Sequence, residues 1–143
     1  MAIQLRAVGT SPGANSSTCV ITKPSGIAVG DFLIAHVKSK ASGTIAWSTG
    51  GDGNWNALGS QQATASGVSA LFYKFATSGD VSATTFSFSV GSSRNKGEMS
   101  AWTGVDTTSP VNTVSQQANT AGTSIAVPQI TPTVDGCTIL IIS

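Results

Sequence analysis

His36 is the only histidine of the chain, so a serine-histidine relay or an imidazole metal site would have to be built around it. It lies in "DFLIAHVK", on the same alternating face as Phe32 and Ile34. No G-x-S-x-G elbow supplies a nucleophile, and a strand histidine whose ring nitrogens are satisfied by neighbours is the expected state. The acidic residues Asp31, Asp52, Asp80, Glu98, Asp106 and Asp135 stand apart, without a D-x-D-x-D-G calcium loop. "GGDGNW" is the best local place for a cation, because Asp52 could sit beside freed carbonyls, yet Gly-Asp-Gly-Asn is ordinary turn chemistry. Asp31, Asp80 and Asp135 each adjoin a Gly near a strand end and read as turn residues. Glu98 and Asp106 are the nearest acidic pair, and an extended chain would hold them wider than the roughly 5–10 Å that glycoside hydrolysis needs. The chain is therefore read as non-enzymatic, with no catalytic residue, metal or cofactor.

Aromatic residues offer the one ligand surface. Trp47 and Trp55 flank the Gly-rich loop, where exposed rings could stack on a sugar while Asn54 and Asn56 bond its hydroxyls. Trp102 shares a strand face with Glu98 and Ser100 and joins these four as a candidate carbohydrate-binding residue. The competing reading, favoured by the habits of Trp in small domains, puts all three rings in the core or at its rim.

The elements that would position these residues follow from composition and pattern. At 143 residues the chain suffices for one domain, 1–143, able to bury about 70% of its unfolded surface. Charged residues are 9% of the chain, and 7 basic against 6 acidic side chains leave a net charge of +1. The basic residues are scattered, with pairs only at 38/40 and 94/96, so nucleic acid is not an expected partner. No apolar stretch is long enough to span a membrane, and "MAIQLRAVGTSPG" lacks the layout of a signal peptide, so neither membrane insertion nor export by that route is expected. Cys19 and Cys137 both sit in apolar runs where a free thiol acts as a small buried hydrophobe, and a bridge between them would require Cα atoms within about 7 Å.

Gly and Ser serve tight turns and Thr serves half-buried strands, so this polar but uncharged chain reads as all-β. "AIQLRAV" and "ATTFSFSV" alternate with period two, and "DFLIAHVK" is a near-continuous apolar run suited to a central strand. Val68, Ala70, Phe72 and Lys74 fall on one face of "GVSALFYKF". "GSSRNK" reads as a polar turn, after which "GEMSAWTGVD", "SPVNTVSQQA", "TSIAVPQIT" and the terminal run complete an antiparallel, jelly-roll-like β-sandwich of about nine or ten strands. "CTILIIS" has no gatekeeping charge, so it must be covered, and insertion into its own sheet beside "DFLIAHVK" is expected. On that reading, removing residues 137–143 unfolds the domain.

At "PSGIAVGDFLIAHV", "SALFYKFATSGDVSATTFSFSV" and "GEMSAWTGVDTTSPV" the chain resembles a recurring β-domain of tailed-bacteriophage virion proteins. The likeness lies in an apolar strand entered through Val-Gly-Asp, a Tyr-Lys strand running into "ATSGD", a Phe-x-Phe strand, and a strand leading to "GVD" and "SPV". It implies a virion structural protein, either capsid decoration or a tail or fibre component, located in the virion. Its partners would be other virion proteins and its own copies, with a homotrimer expected. In that family the domain continues past the strand matching "CTILIIS", so the chain is expected to be the N-terminal part of a longer protein. A carbohydrate-binding or host-receptor-binding module, with a glycan as ligand, is the alternative.

Overall fold

The computed structural model describes residues 2–117 and 126–142. Its strands are β1 (Gln4–Thr10), β2 (Ala14–Thr22), β3 (Phe32–Ser39), β4 (Ala46–Thr49), β5 (Asn56–Ala57), β6 (Gln62–Thr64), β7 (Gly67–Phe75) and β8 (Thr85–Thr103), with one short helix, α1 (Ser78–Ser82), before β8. Every pairing is antiparallel. The eight strands form one open hydrogen-bonded sheet in the order β1-β8-β3-β7-β5, with β2 and β4 also joined to β8 and β6 to β7.

β8 organises this sheet. Its first part, from Thr85 to Ser89, pairs with β2 and β4, and its last part, from Asn95 to Thr103, pairs with β1 and β3. Between them the register with β2 jumps, so that residues 90–92 of β8 oppose the single residue Ser17. Extra residues on one strand bend it and tighten its twist, and this bulge lets one strand serve two groups of partners. Gly91 is required there, because a Cβ would lie 2.3 Å from the Cβ of Ala41. The stretch "GSSRNK" is thus strand throughout rather than the turn its polarity predicts. Ser92, Arg94 and Lys96 face water, Asn95 turns inward and donates to the Ser16 carbonyl at 2.9 Å, and the backbone continues the ladder.

The bend brings alternate side chains from both parts of β8 onto one core. Phe86, Phe88 and Val90 meet Leu33, Ala35 and Val37 of β3 and Val68, Ala70 and Phe72 of β7, all buried. The ring of Phe88 stacks on Phe72 with centroids 5.2 Å apart. Gly97 carries no side chain at a point where a Cβ would sit 2.6 Å from Cδ1 of Ile21 and 2.9 Å from Sγ of Cys19. The alternation read in β7 holds, since Val68, Ala70, Phe72 and Lys74 are the buried set.

Four expectations are corrected. The described residues hold eight strands, fewer than about nine or ten, because two expected strands merge into β8 and the described residues after Thr103 add none. "SPVNTVSQQA" and "TSIAVPQIT" form no strand where described, and their residues 118–125 lie outside the described residues. The terminal run does not enter the sheet: β3 already has β7 on one side and β8 on the other, leaving no edge beside it. Ile139 and Ile141 are 59% and 66% exposed. Cys19 is buried as expected, whereas Cys137 is exposed, and both are free thiols.

Two outcomes follow for stability. Phe88→Ala should cost about 3–5 kcal/mol in chemical denaturation, as loss of a large core ring does. Deletion of residues 137–142 should shift the melting temperature by only about 2 °C or less, since these residues contribute little burial. A loss comparable to that of Phe88→Ala would restore the inserted-strand expectation.

Candidate functional site

The first cluster that could carry chemistry surrounds Lys74. The alternation of β7 turns its side chain inward, where it is 3% exposed, and a cation there requires compensation. Asp80 supplies it from α1, with its Oδ2 2.7 Å and its Oδ1 3.0 Å from Nζ. Lys74 Nζ also donates to the carbonyl of Gly53 and stands 5.6 Å from the centroid of the Trp55 ring, a cation–π geometry. "TSGD" explains the local fold: Thr77 caps α1, and its side chain and Asp80 form a reciprocal capping box. Asp80 further accepts from the backbone N–H of Thr77 at 2.9 Å and of Asp52 at 3.3 Å.

Burial alone would raise the Asp80 pKa, but the hydrogen bonds from Lys74 and Thr77 and the Lys74 charge hold it below its ordinary value. Asp52 accepts from the Thr77 hydroxyl. The "GGDGNW" loop therefore encloses a cation of its own, the Lys74 ammonium. Among the described residues no three His, Cys, Asp or Glu side chains gather to hold a metal. Asp31 is likewise occupied, with Arg6 Nε 2.6 Å from its Oδ2 and the Ala28 N–H donating to it at 2.8 Å.

His36 shares a 2.9 Å hydrogen bond with Ser69 Oγ, a base beside a hydroxyl. Burial first, and the neighbouring Lys38 charge second, push the imidazole pKa from 6.5 down to about 4. Such an imidazole is a weak base at neutral pH. Both residues lie in β-ladders whose backbone N–H groups serve neighbouring strands, so no oxyanion hole is built beside them. The pair satisfies polarity on the sheet, as the sequence predicts for this histidine.

The aromatic candidates divide. Trp55 packs edge-on against Phe86 and Phe88, with centroids 5.9 and 5.6 Å away, and its buried Nε1 has no acceptor. Trp47 rests partly buried against the core and donates to the Gly50 carbonyl at 3.3 Å. Asn54 and Asn56 are exposed, and Asn54 takes a left-handed φ of 57° in the turn. Trp102 belongs to the other side of the sheet: it alternates with buried Met99 and Ala101, and its Nε1 donates to Ser100 Oγ at 2.8 Å. The four loop residues thus stand together, and Trp102 stands apart from them.

That opposite side holds a groove of about 1660 Å³. Phe32, Ile34, His36, Leu71 and Trp102 line its sheet wall, and parts of the chain from Val105 onward line the other, including Ile139 to Ile142. Lys38, Lys40, Arg94 and Lys96 border it too, so the structure unites two basic pairs that are separate in sequence. Equal parity on two adjacent strands was the signal available for this. Two signals marked the ion pair: a lysine on an apolar alternating face and the T-x-x-D cap. The chain matches no protein-family model, no curated protein and no solved structure.

Lys74→Met should destabilise by about 3–5 kcal/mol by leaving Asp80 buried and unpaired, while adding Asp80→Leu should recover part of the loss. Equilibrium unfolding of both variants checks this. The pH dependence is also defined: between 6.5 and about 4 the unfolded chain binds a proton at His36 that the folded chain does not. Stability should therefore fall on acidification through that window by at most about 3 kcal/mol, and His36→Gln should flatten the slope. The depressed Asp80 pKa adds a further loss below its ordinary 3.8, as pH falls through the folded value.

Proposed function

We propose that this chain is a non-enzymatic bacteriophage virion structural protein, a capsid decoration or tail or fibre component that works through protein-protein contacts. The observation that carries the reading is an exposed aliphatic pair on β1. Leu5 and Val8, 51% and 53% exposed, stand opposite Trp102 and Ser100 of β8. Exposed apolar surface of this kind marks contact sites, and the charged candidates for chemistry, Lys74, Asp80, Arg6 and Asp31, are engaged in internal ion pairs. The proposal includes the finer fold: the bend in β8 and the packing of Phe88 on Phe72 favour a jelly-roll-like sandwich. It also includes association with other virion proteins and with the chain's own copies, as a homotrimer.

A glycan- or receptor-binding module is the second reading, favoured by exposed Asn54 and Asn56 beside Trp55. Trp55 weighs against it, since its ring packs into the core and against Lys74.

Mass spectrometry of purified particles from the source encoding this chain should find it in many copies, and its absence would overturn the structural reading. A glycan-array signal lost in Asn54→Ala or Asn56→Ala would transfer the assignment to the second.

A further inference from the structure

β1 ends the hydrogen-bonded path of the sheet: β8 lies on one side of it, and among the described residues no strand lies on the other. The outward backbone N–H and C=O groups of such an edge are a template for another strand, which proteins commonly blunt with Lys, Pro or a very short edge. Gln4–Thr10 is seven residues long, about 23 Å, and holds neither Lys nor Pro. Its one charge, Arg6, is drawn to Asp31, with Nε 2.6 Å from Oδ2. The register shift between Leu5 and Ala7 interrupts the edge once and leaves Ala7 to Thr10 regular. Leu5 and Val8 are exposed and add aliphatic surface beside it.

The same chain carries a strand-forming segment that has no sheet. Residues 137–142, "CTILII", hold no charge, Gly or Pro and are rich in β-branched side chains. They form no ladder, and Ile139, Leu140 and Ile141 are exposed. Short segments of this composition pair readily with an open edge. Six extended residues span about 20 Å, close to the length of β1. Within one chain this segment lines the groove beside Phe32 and Leu71 and leaves the β1 edge open. An open edge and an unpaired strand in one molecule satisfy each other between two copies.

We propose that residues 137–142 of one copy add as an antiparallel strand to β1 of a second copy, with Cys137 beside Thr10 and Ile139 beside Val8. The direction is that of every other pairing in the sheet. Main-chain hydrogen bonds supply the affinity, and the aliphatic contact with Val8 and Leu5 sets the partner. Each copy offers one segment and one edge, so the contacts can close into a ring, and a ring of three is the homotrimer proposed above. The inference rests on that reading of association between copies. It is tested on the isolated full chain, so it can fail while the chain is still found in particles.

Light scattering on the full chain should give a molar mass that is a multiple of 14.3 kDa. Deletion of residues 137–142 and, separately, Val8→Lys should each reduce it to the single-chain value, with near-ultraviolet circular dichroism showing that both variants stay folded. Directly opposite residues of an antiparallel pair have Cα atoms about 4.5–5.5 Å apart, within disulfide reach. Thr10→Cys/Cys137→Ser mixed with the unaltered chain under mild oxidation should therefore form a disulfide between the introduced thiol and Cys137, located by peptide mapping. Gln4→Cys/Cys137→Ser should give on the order of tenfold less. A monomeric full chain, an oligomer that survives the deletion or Val8→Lys, a disulfide that favours position 4, or a disulfide that closes within one chain in Thr10→Cys alone would each overturn the proposal.

Discussion

A positive charge held away from water governs this architecture. Lys74 lies on the inner face of β7, in line with Val68, Ala70 and Phe72, where an uncompensated ammonium would be intolerable. Compensation draws in chain segments that share no ladder with one another. Asp80 approaches from α1, the Gly53 carbonyl from the loop after β4, and the Trp55 ring from the same loop. Close approach dictates the glycines: a Cβ on Gly51 would lie 2.0 Å from Asp80 Oδ1, and one on Gly79 2.0 Å from Asp52 Oδ1. Buried ion pairs often add little net stability over a hydrophobic replacement, so the main effect here is to fix where the loop and α1 sit.

Much of the fold was legible because alternation is a local property. β3 could be read as a central strand and β7 as an alternating one, since each apolar side chain reports its own environment. "GSSRNK" was not legible as strand. Its polarity reports the exposure of Ser92, Arg94 and Lys96 though not the burial of Asn95, and backbone pairing depends on β2 and β3, which are remote in sequence. The terminal run misled for the opposite reason. Ile139 to Ile142 have the composition of a central strand, yet pairing needs an unoccupied edge, and β7 and β8 flank β3 on both sides.

The candidate sites show the same division. Turn chemistry correctly placed Asp52 and Asp31 in loops, and His36 was correctly read as locally satisfied, whereas Asp80, read as a turn residue, sits buried in α1 against Lys74. That Lys74 and Asp80 meet could be inferred only by combining an inward lysine with a capping motif six residues later. Trp47 and Trp55 could be assigned to one loop from proximity in sequence, but the side of the sheet taken by Trp102 depends on the parity of β8 across its bulge. The basic cluster was hidden for a related reason, since residues 38–40 and 94–96 become neighbours only through the β3–β8 register.

The reliance on β8 also bears on how the chain matures during synthesis. β1, β2 and β4 have β8 as their ladder partner, and β8 is among the last elements made. At roughly 5–20 residues per second, several seconds separate completion of β2 from emergence of Thr85 at the ribosome. During that interval β3 can pair with β7 once β7 appears, but Cys19, Ile21 and the exposed Val20 have no native cover. The nascent N-terminal third must stay soluble without a sheet to join, and its many Ser and Thr residues, with Arg6, Lys23, Lys38 and Lys40 outnumbering Asp31, suit that wait. Closure then comes late and almost at once, when a single strand supplies the missing partner to four others.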